Sequence, residues 1–157
     1  MSVSTIDRID HTNDAEIERM SGPIADIVSA INREGSNKAL PSKMSAPDVA
    51  ANVRRLGERG GIFYCKDNGH VVAFAQLGPD DTEPGTAVMG VWVLTSHRRK
   101  GIGTELARSG VEFARDAGYT KLRGTIPVSN DPALSFFSAI GPIVQLEAGG
   151  MGYELPV

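Results

Sequence analysis

The stretch from Val91 to Ala117, VWVLTSHRRKGIGTELARSGVEFARDA, decides the fold, because it joins an apolar strand to a helix through a short basic loop carrying two glycines. Val91, Trp92 and Val93 are strand formers. From Thr104 to Ala117, small and apolar side chains recur at helical spacing through Leu106, Ala107, Gly110, Val111, Ala114 and Ala117. At such a join the first N–H groups of the helix lack intrahelical partners, and the helix dipole places roughly half a positive charge beside them. Phosphate suits that geometry. Gly101 and Gly103 remove Cβ atoms that would hold a phosphate away from the backbone, and Arg98, Arg99 and Lys100 add charge at the same spot.

Two familiar phosphate loops do not fit. A dinucleotide fingerprint needs a third glycine where Leu106 stands, and an acidic residue about twenty positions on, where Lys121 and Arg123 stand. A Walker loop needs its lysine after the last glycine, whereas Lys100 precedes Gly101. A solvated basic turn with two loop glycines is the plain alternative.

The run Arg98-Arg99-Lys100-Gly101-Ile102-Gly103 resembles the Arg/Gln-x-x-Gly-x-Gly/Ala signature of the GNAT superfamily of acyl-coenzyme A dependent N-acetyltransferases. A second stretch, Asn130-Asp131-Pro132-Ala133-Leu134-Ser135-Phe136-Phe137 followed by Gly141, is similar to the family's Asn-x-x-Ala segment before a helix-ending glycine. The resemblance covers roughly residues 88 to 141 and implies a GNAT fold. This is an α/β arrangement of α+β mixed-sheet type, in the order β-α-α-β-β-β-α-β-α-β-β, with a central parallel strand pair that splays apart.

Composition agrees with one globular domain spanning residues 1–157. Of the residues, 41% are hydrophobic and 22% charged, near the average for soluble proteins, and no run approaches the roughly twenty apolar residues of a membrane span. The first residues, MSVSTIDRID, lack the basic start and apolar core of a secretory signal, so a cytoplasmic location is expected, with no membrane partner. A net charge of −3 argues against a nucleic-acid partner and makes the basic loop a local exception. The single cysteine, Cys65, sits in an apolar run and reads as a structural thiol, with no cysteine metal cluster available and no metal expected.

In chain order, residues 3 to 9 read as a short edge strand. Asn13 to Glu16 resembles a capping box opening a helix to about Asn32, which Pro23 bends or splits. The loop Gly35 to Met44 follows. Ser45 caps a second helix ending near Gly57. Strands Gly61 to Lys66 and His70 to Leu77 flank the hairpin turn Asp67-Asn68-Gly69. The connection Gly78 to Gly85 carries Asp80, Asp81 and Glu83, an acidic lip if it borders the site. Thr86 to Thr95 feeds the basic loop, Lys121 to Pro127 is a parallel strand reached by a right-handed crossover, and a short helix from Asn130 or Asp131 ends at Gly141. The tail, Pro142 to Leu146 and Met151 to Val157, forms an antiparallel pair.

The resemblance implies transfer of an acetyl group from acetyl-CoA, as co-substrate, to a primary amine of a small molecule or protein, by direct attack through a tetrahedral intermediate. Pyrophosphate would rest on backbone N–H groups from Arg99 through Lys100, Gly101, Ile102 and Gly103 to Thr104, with Arg98 bracing the loop. The pantetheine arm would pair with Val91, Trp92, Val93 and Leu94, and approach Asn130 and Phe137. The Val93 N–H is the expected oxyanion donor. Many family members carry a glutamate where this chain has Val88 and a tyrosine where it has Phe137, so the usual base and acid are replaced. Glu83 is a substitute base to consider, and Ser135 a water-mediated acid. Two other functions stay open, a coenzyme A binding module with weak or no catalysis, and a polyanion or protein-interaction domain using Arg98 to Lys100. Dimers are common in the family, which makes a homodimer one expected assembly.

Overall fold

The computed structural model describes residues 4–34, 44–97, 100–125, 144–145 and 152–157. Its strands are β1 (Ser4–Arg8), β2 (Gly61–Asp67), β3 (His70–Pro79), β4 (Thr86–Val93), β5 (Lys121–Thr125), β6 (Val144–Gln145) and β7 (Gly152–Pro156). They form one mixed sheet in the order β1-β2-β3-β4-β5-β7-β6. Only β4 and β5 run parallel, and helix α3 (Ile102–Asp116) makes the crossover between them. Helices α1 (Asp14–Glu34) and α2 (Ala46–Leu56) precede β2. This is the mixed sheet expected from the sequence. The helix expected from Asn130 to Gly141 lies outside the described residues.

Strand alternation divides the core into two layers. Ile62 and Tyr64 of β2 and Phe74 of β3 face α1 and α2, meeting Ile17, Ile24, Ile31, Val49 and Val53. Phe63, Leu77 and the β4 residues Ala87 and Met89 face α3, meeting Leu106, Val111 and Ala114. Arg8, at the end of β1, reaches past the sheet edge: its guanidinium donates to the carbonyls of Gly57 and Gly60 and lies 4.7 Å from the centre of the Phe113 ring.

Local chemistry sets the element ends. Ser45 and Asp48 form a complete capping box at α2. Asn13 accepts from the Glu16 N–H at the start of α1. Pro23 does not split α1, which is one continuous helix in which the Arg19 carbonyl cannot accept its i+4 bond. The β2–β3 turn is two residues long, with Asn68 and Gly69 both in the left-handed region at φ of 53° and 83°. That is the combination that matches the strand twist.

Candidate active site

The end of β4 positions the site. At its two ends the Asp80 N–H donates to the Thr86 carbonyl and the Leu94 N–H donates to the Val72 carbonyl. With no register shift between them, every even-numbered residue of β4 turns its backbone groups toward β3. Val91 and Val93 therefore direct theirs toward the opposite flank. There, β5 pairs with β4 from Thr86↔Lys121 only as far as Met89↔Gly124. The residues that directly follow Thr125 lie outside the described ones. This refines the expectation for the pantetheine contacts: Trp92 and Leu94 spend their backbone groups on β3, and Val91 and Val93 address the flank.

After β4 the chain makes a single 3₁₀ turn over Thr95–His97 and then enters α3. Gly101 is the residue before the helix, held left-handed at φ 82°, and no side chain among the described residues caps the helix start. A Cβ at Gly101 would meet nothing within 4 Å among the described residues. The Glu105 N–H donates to the Gly101 carbonyl, the first bond of the helix. The N–H groups of Ile102, Gly103 and Thr104 precede it and point out of the helix end. Ile102 itself is buried and anchors the turn in the α3 core. Gly103 behaves differently from the expectation. Its Cβ would face Val93 and Val91 at 3.6 and 3.9 Å, ordinary contact distances, so its side-chain direction is toward β4 and away from the anion space. A cleft of about 300 Å³ runs behind the loop, lined by Ile6, Cys65, Lys100, Gly101, Ile102, Glu105 and Ser109. Cys65 is buried there. Arg98, Arg99, Asn130, Ser135 and Phe137 lie outside the described residues.

Glu83 is not brought to this place. It precedes β4, and the eight residues of that strand, at about 3.3 Å each, put roughly 23 Å between its two ends. Its carboxylate accepts from Lys121 at 2.8 Å and from Arg123 at 2.5 Å. Those bonds, Lys121 first, hold the Glu83 carboxyl below its usual range. Glu83 thus stands as a paired carboxylate just before β4, bound to Arg123, the register partner of Val88. The acidic lip is likewise neutralised in part: Arg123 also pairs with Asp80 at 2.6 Å and Glu154 at 2.9 Å, and Lys121 with Glu154 at 3.2 Å.

Val88 faces the same side of the sheet as this ion network, with Arg123 as its register partner on β5. It is the large hydrophobic side chain most open to water among the described residues, 41% exposed. Trp92, two pleats further along that face, tilts over Phe74 with ring centres 5.0 Å apart. Neither the Arg123 network nor a second pair at the other end of β4 was foreseen. There, His97 Nε2 lies 2.9 Å from Asp67 Oδ2, while Ser96 Oγ lies 2.8 Å from His97 Nδ1. These partners stand 30 and more residues apart, beyond the reach of local periodicity.

A family model described as the acetyltransferase (GNAT) family matches residues 26–141. The chain belongs to this family. Human N-acetyltransferase 8 is 32% identical to it over 119 residues, which cover 64% of this chain and 52% of that protein, so the match spans about half the length of that relative. Among solved structures, a GNAT family acetyltransferase from Streptococcus pneumoniae superimposes with a TM-score of 0.76 at 11% identity, covering 99% of this chain and 100% of that one. A GNAT superfamily phosphinothricin acetyltransferase from Sinorhizobium meliloti, in complex with acetyl-CoA, gives 0.74 at 17%, covering 98% and 88%. A putative acetyltransferase from Salmonella typhimurium with its cofactor acetyl-CoA gives 0.69 at 18%, covering 98% and 93%. At these identities the structures establish the GNAT fold.

Proposed function

We propose that this GNAT family member transfers the acetyl group of acetyl-CoA to a primary amine. The observation that carries the reading is the start of α3 behind left-handed Gly101, where no side-chain cap occurs among the described residues, placed just beyond the end of β4. The N-terminus of a fifteen-residue helix suits a pyrophosphate, and exposed Lys100 adds a cation beside it. In this reading an extended amide-bearing arm lies along the side of β4 toward which the Val91 backbone points.

Bound acetyl-CoA would supply an activated thioester carbonyl for the amine to attack. The residues of this chain then hold and orient. In this reading Val93 lends its backbone to the carbonyl oxygen, and Gly101 to Thr104 hold the phosphates. Proton removal from the amine is assigned to water. No carboxylate occurs between Thr86 and Leu94. Asp80, Glu83 and Glu154 are all held below the usual carboxylate range, Asp80 first by its bonds from Thr82, Glu83 by Lys121 and Glu154 by Arg123. A lysine-like amine, with a pKa near 10.4, costs about 4.6 kcal/mol to deprotonate at pH 7, which makes this the expensive part of the reaction.

The test is titration calorimetry with acetyl-CoA, using ATP and NAD as controls, followed by thiol release against an amine panel. Micromolar binding of acetyl-CoA alone, with amine-dependent thiol release, is expected. Binding without release from any amine would favour the second reading, a coenzyme A binding module, for which Val88 in place of a carboxylate is the motive. Absence of binding would sink both.

A further inference from the structure

Asp67 ends β2, and its backbone is fixed on both sides, in register with Ser4 of β1 and His70 of β3. Its carboxylate is nine-tenths buried. Oδ2 accepts from the His97 Nε2–H at 2.9 Å, whereas Oδ1 is buried with no hydrogen-bond partner among the described residues. A half-satisfied carboxylate is a poor way to stabilise a fold, because the oxygen left without a partner forfeits its hydration. What the arrangement does supply is a fixed anchor. His97 closes the turn that begins the β4–α3 loop, its own N–H donating to the Leu94 carbonyl, and Ser96 Oγ–H meets Nδ1 to set the ring plane. The imidazole thus bolts the first turn of the loop to the end of β2, a strand paired on both sides.

We infer that Asp67 and His97 are positioning residues for the anion site: the pair pins the loop to the β2–β3 hairpin, so that the N–H groups at the start of α3 are aligned before an anion arrives. The role in binding rests on the coenzyme A reading proposed above, while the pinning itself does not. Pre-ordering of this kind appears as affinity, since a loop already in its bound shape loses less freedom on binding. Neither side chain has to touch the ligand.

The experiment compares the parent with His97→Ala, Asp67→Ala and His97→Gln, whose amide nitrogen can stand where Nε2 stands. Amide hydrogen exchange is measured without ligand, melting temperature alongside it, and affinity for coenzyme A by calorimetry. Expected in both alanine variants is exchange at least about tenfold faster confined to residues 95–104, with the larger fall in melting temperature in His97→Ala, which leaves the buried carboxylate without that partner. Coenzyme A affinity should fall by about tenfold or more, and His97→Gln should recover most of both losses. Unchanged exchange in that segment overturns the inference, and so does faster exchange spread across the whole domain. A parent that fails to bind coenzyme A overturns the proposed function, and the exchange measurement still decides whether the loop is pinned.

Discussion

Gly110 of α3 stands against Met89 of β4 so closely that a Cβ on the glycine would overlap the methionine sulfur. Met89 is buried among Leu77, Leu106 and Val111, so the sulfur has little room to retreat. Gly110→Ala should therefore destabilise the protein by about 1–2 kcal/mol, the overpacking cost exceeding the gain in helix propensity. Urea denaturation measures it. Combined with Met89→Ala, the loss should be smaller than the sum of the two single losses, since the second change opens the space that the first one fills. Additive losses would mean that the helix does not rest on that sulfur.

The two glycines of the loop should separate cleanly. Gly101 has φ 82°, and a Cβ there meets nothing among the described residues, so Gly101→Glu strains the turn and places a carboxylate at the helix start; coenzyme A binding should fall by about a hundredfold or more. Gly103→Ala directs a methyl toward Val93 and Val91 at ordinary contact distance, and affinity should stay within about threefold of the parent. Calorimetry with coenzyme A distinguishes them, and equal losses would refute the different directions assigned to the two positions.

Arg123 gathers the carboxylates of Asp80, Glu83 and Glu154, and all three are held below their usual range. A carboxylate depressed on folding contributes stability above its unfolded pKa and loses it as pH falls through the folded value. The melting temperature of Arg123→Met should therefore lie furthest below the parent's near neutrality. The gap should narrow once pH falls below about 4.5. Thermal melts from pH 7 to pH 3 test this, and a gap that is constant across that range would mean the network carries no linked protons.

If water removes the amine proton, kcat/KM should rise about tenfold per pH unit below the amine's own pKa. The three depressed carboxylates titrate too low to add a break above pH 5. Val88→Glu places a carboxylate on the exposed face of β4, where stability should change by no more than about 0.5 kcal/mol. Thiol release at pH 7 should increase in that variant relative to its own rate at pH 9. An unchanged ratio would mean that proton removal does not limit turnover.

Much of the fold was legible because its signals are local. The capping box at Ser45 and Asp48, the Asn68-Gly69 turn and the helical spacing from Leu106 to Ala114 each act within a few residues of themselves. The loop around Gly101 was legible for the same reason. The direction of Gly103 was not, since it depends on how α3 lies across Val91 and Val93. The ion pairing of Glu83 was not legible either. Its partners Lys121 and Arg123 arrive through the parallel crossover, and no periodicity announces them. Pro23 shows the opposite error. A local breaker suggested a bent or divided helix, and burial of Ile17, Met20, Ile24 and Ile27 against the sheet keeps α1 in one piece.

Trp92 is the chain's single tryptophan. It lies on β4 between Val91 and Val93, partly buried, with its indole folded back over Gly90 so closely that a Cβ there would overlap the ring. The sole indole emitter thus stands between the two residues whose backbone points to the β5 flank of β4. The protein consequently carries its own optical gauge. Emission from one known position can follow occupancy of that flank with no label attached, and its timing can be compared with that of thiol release.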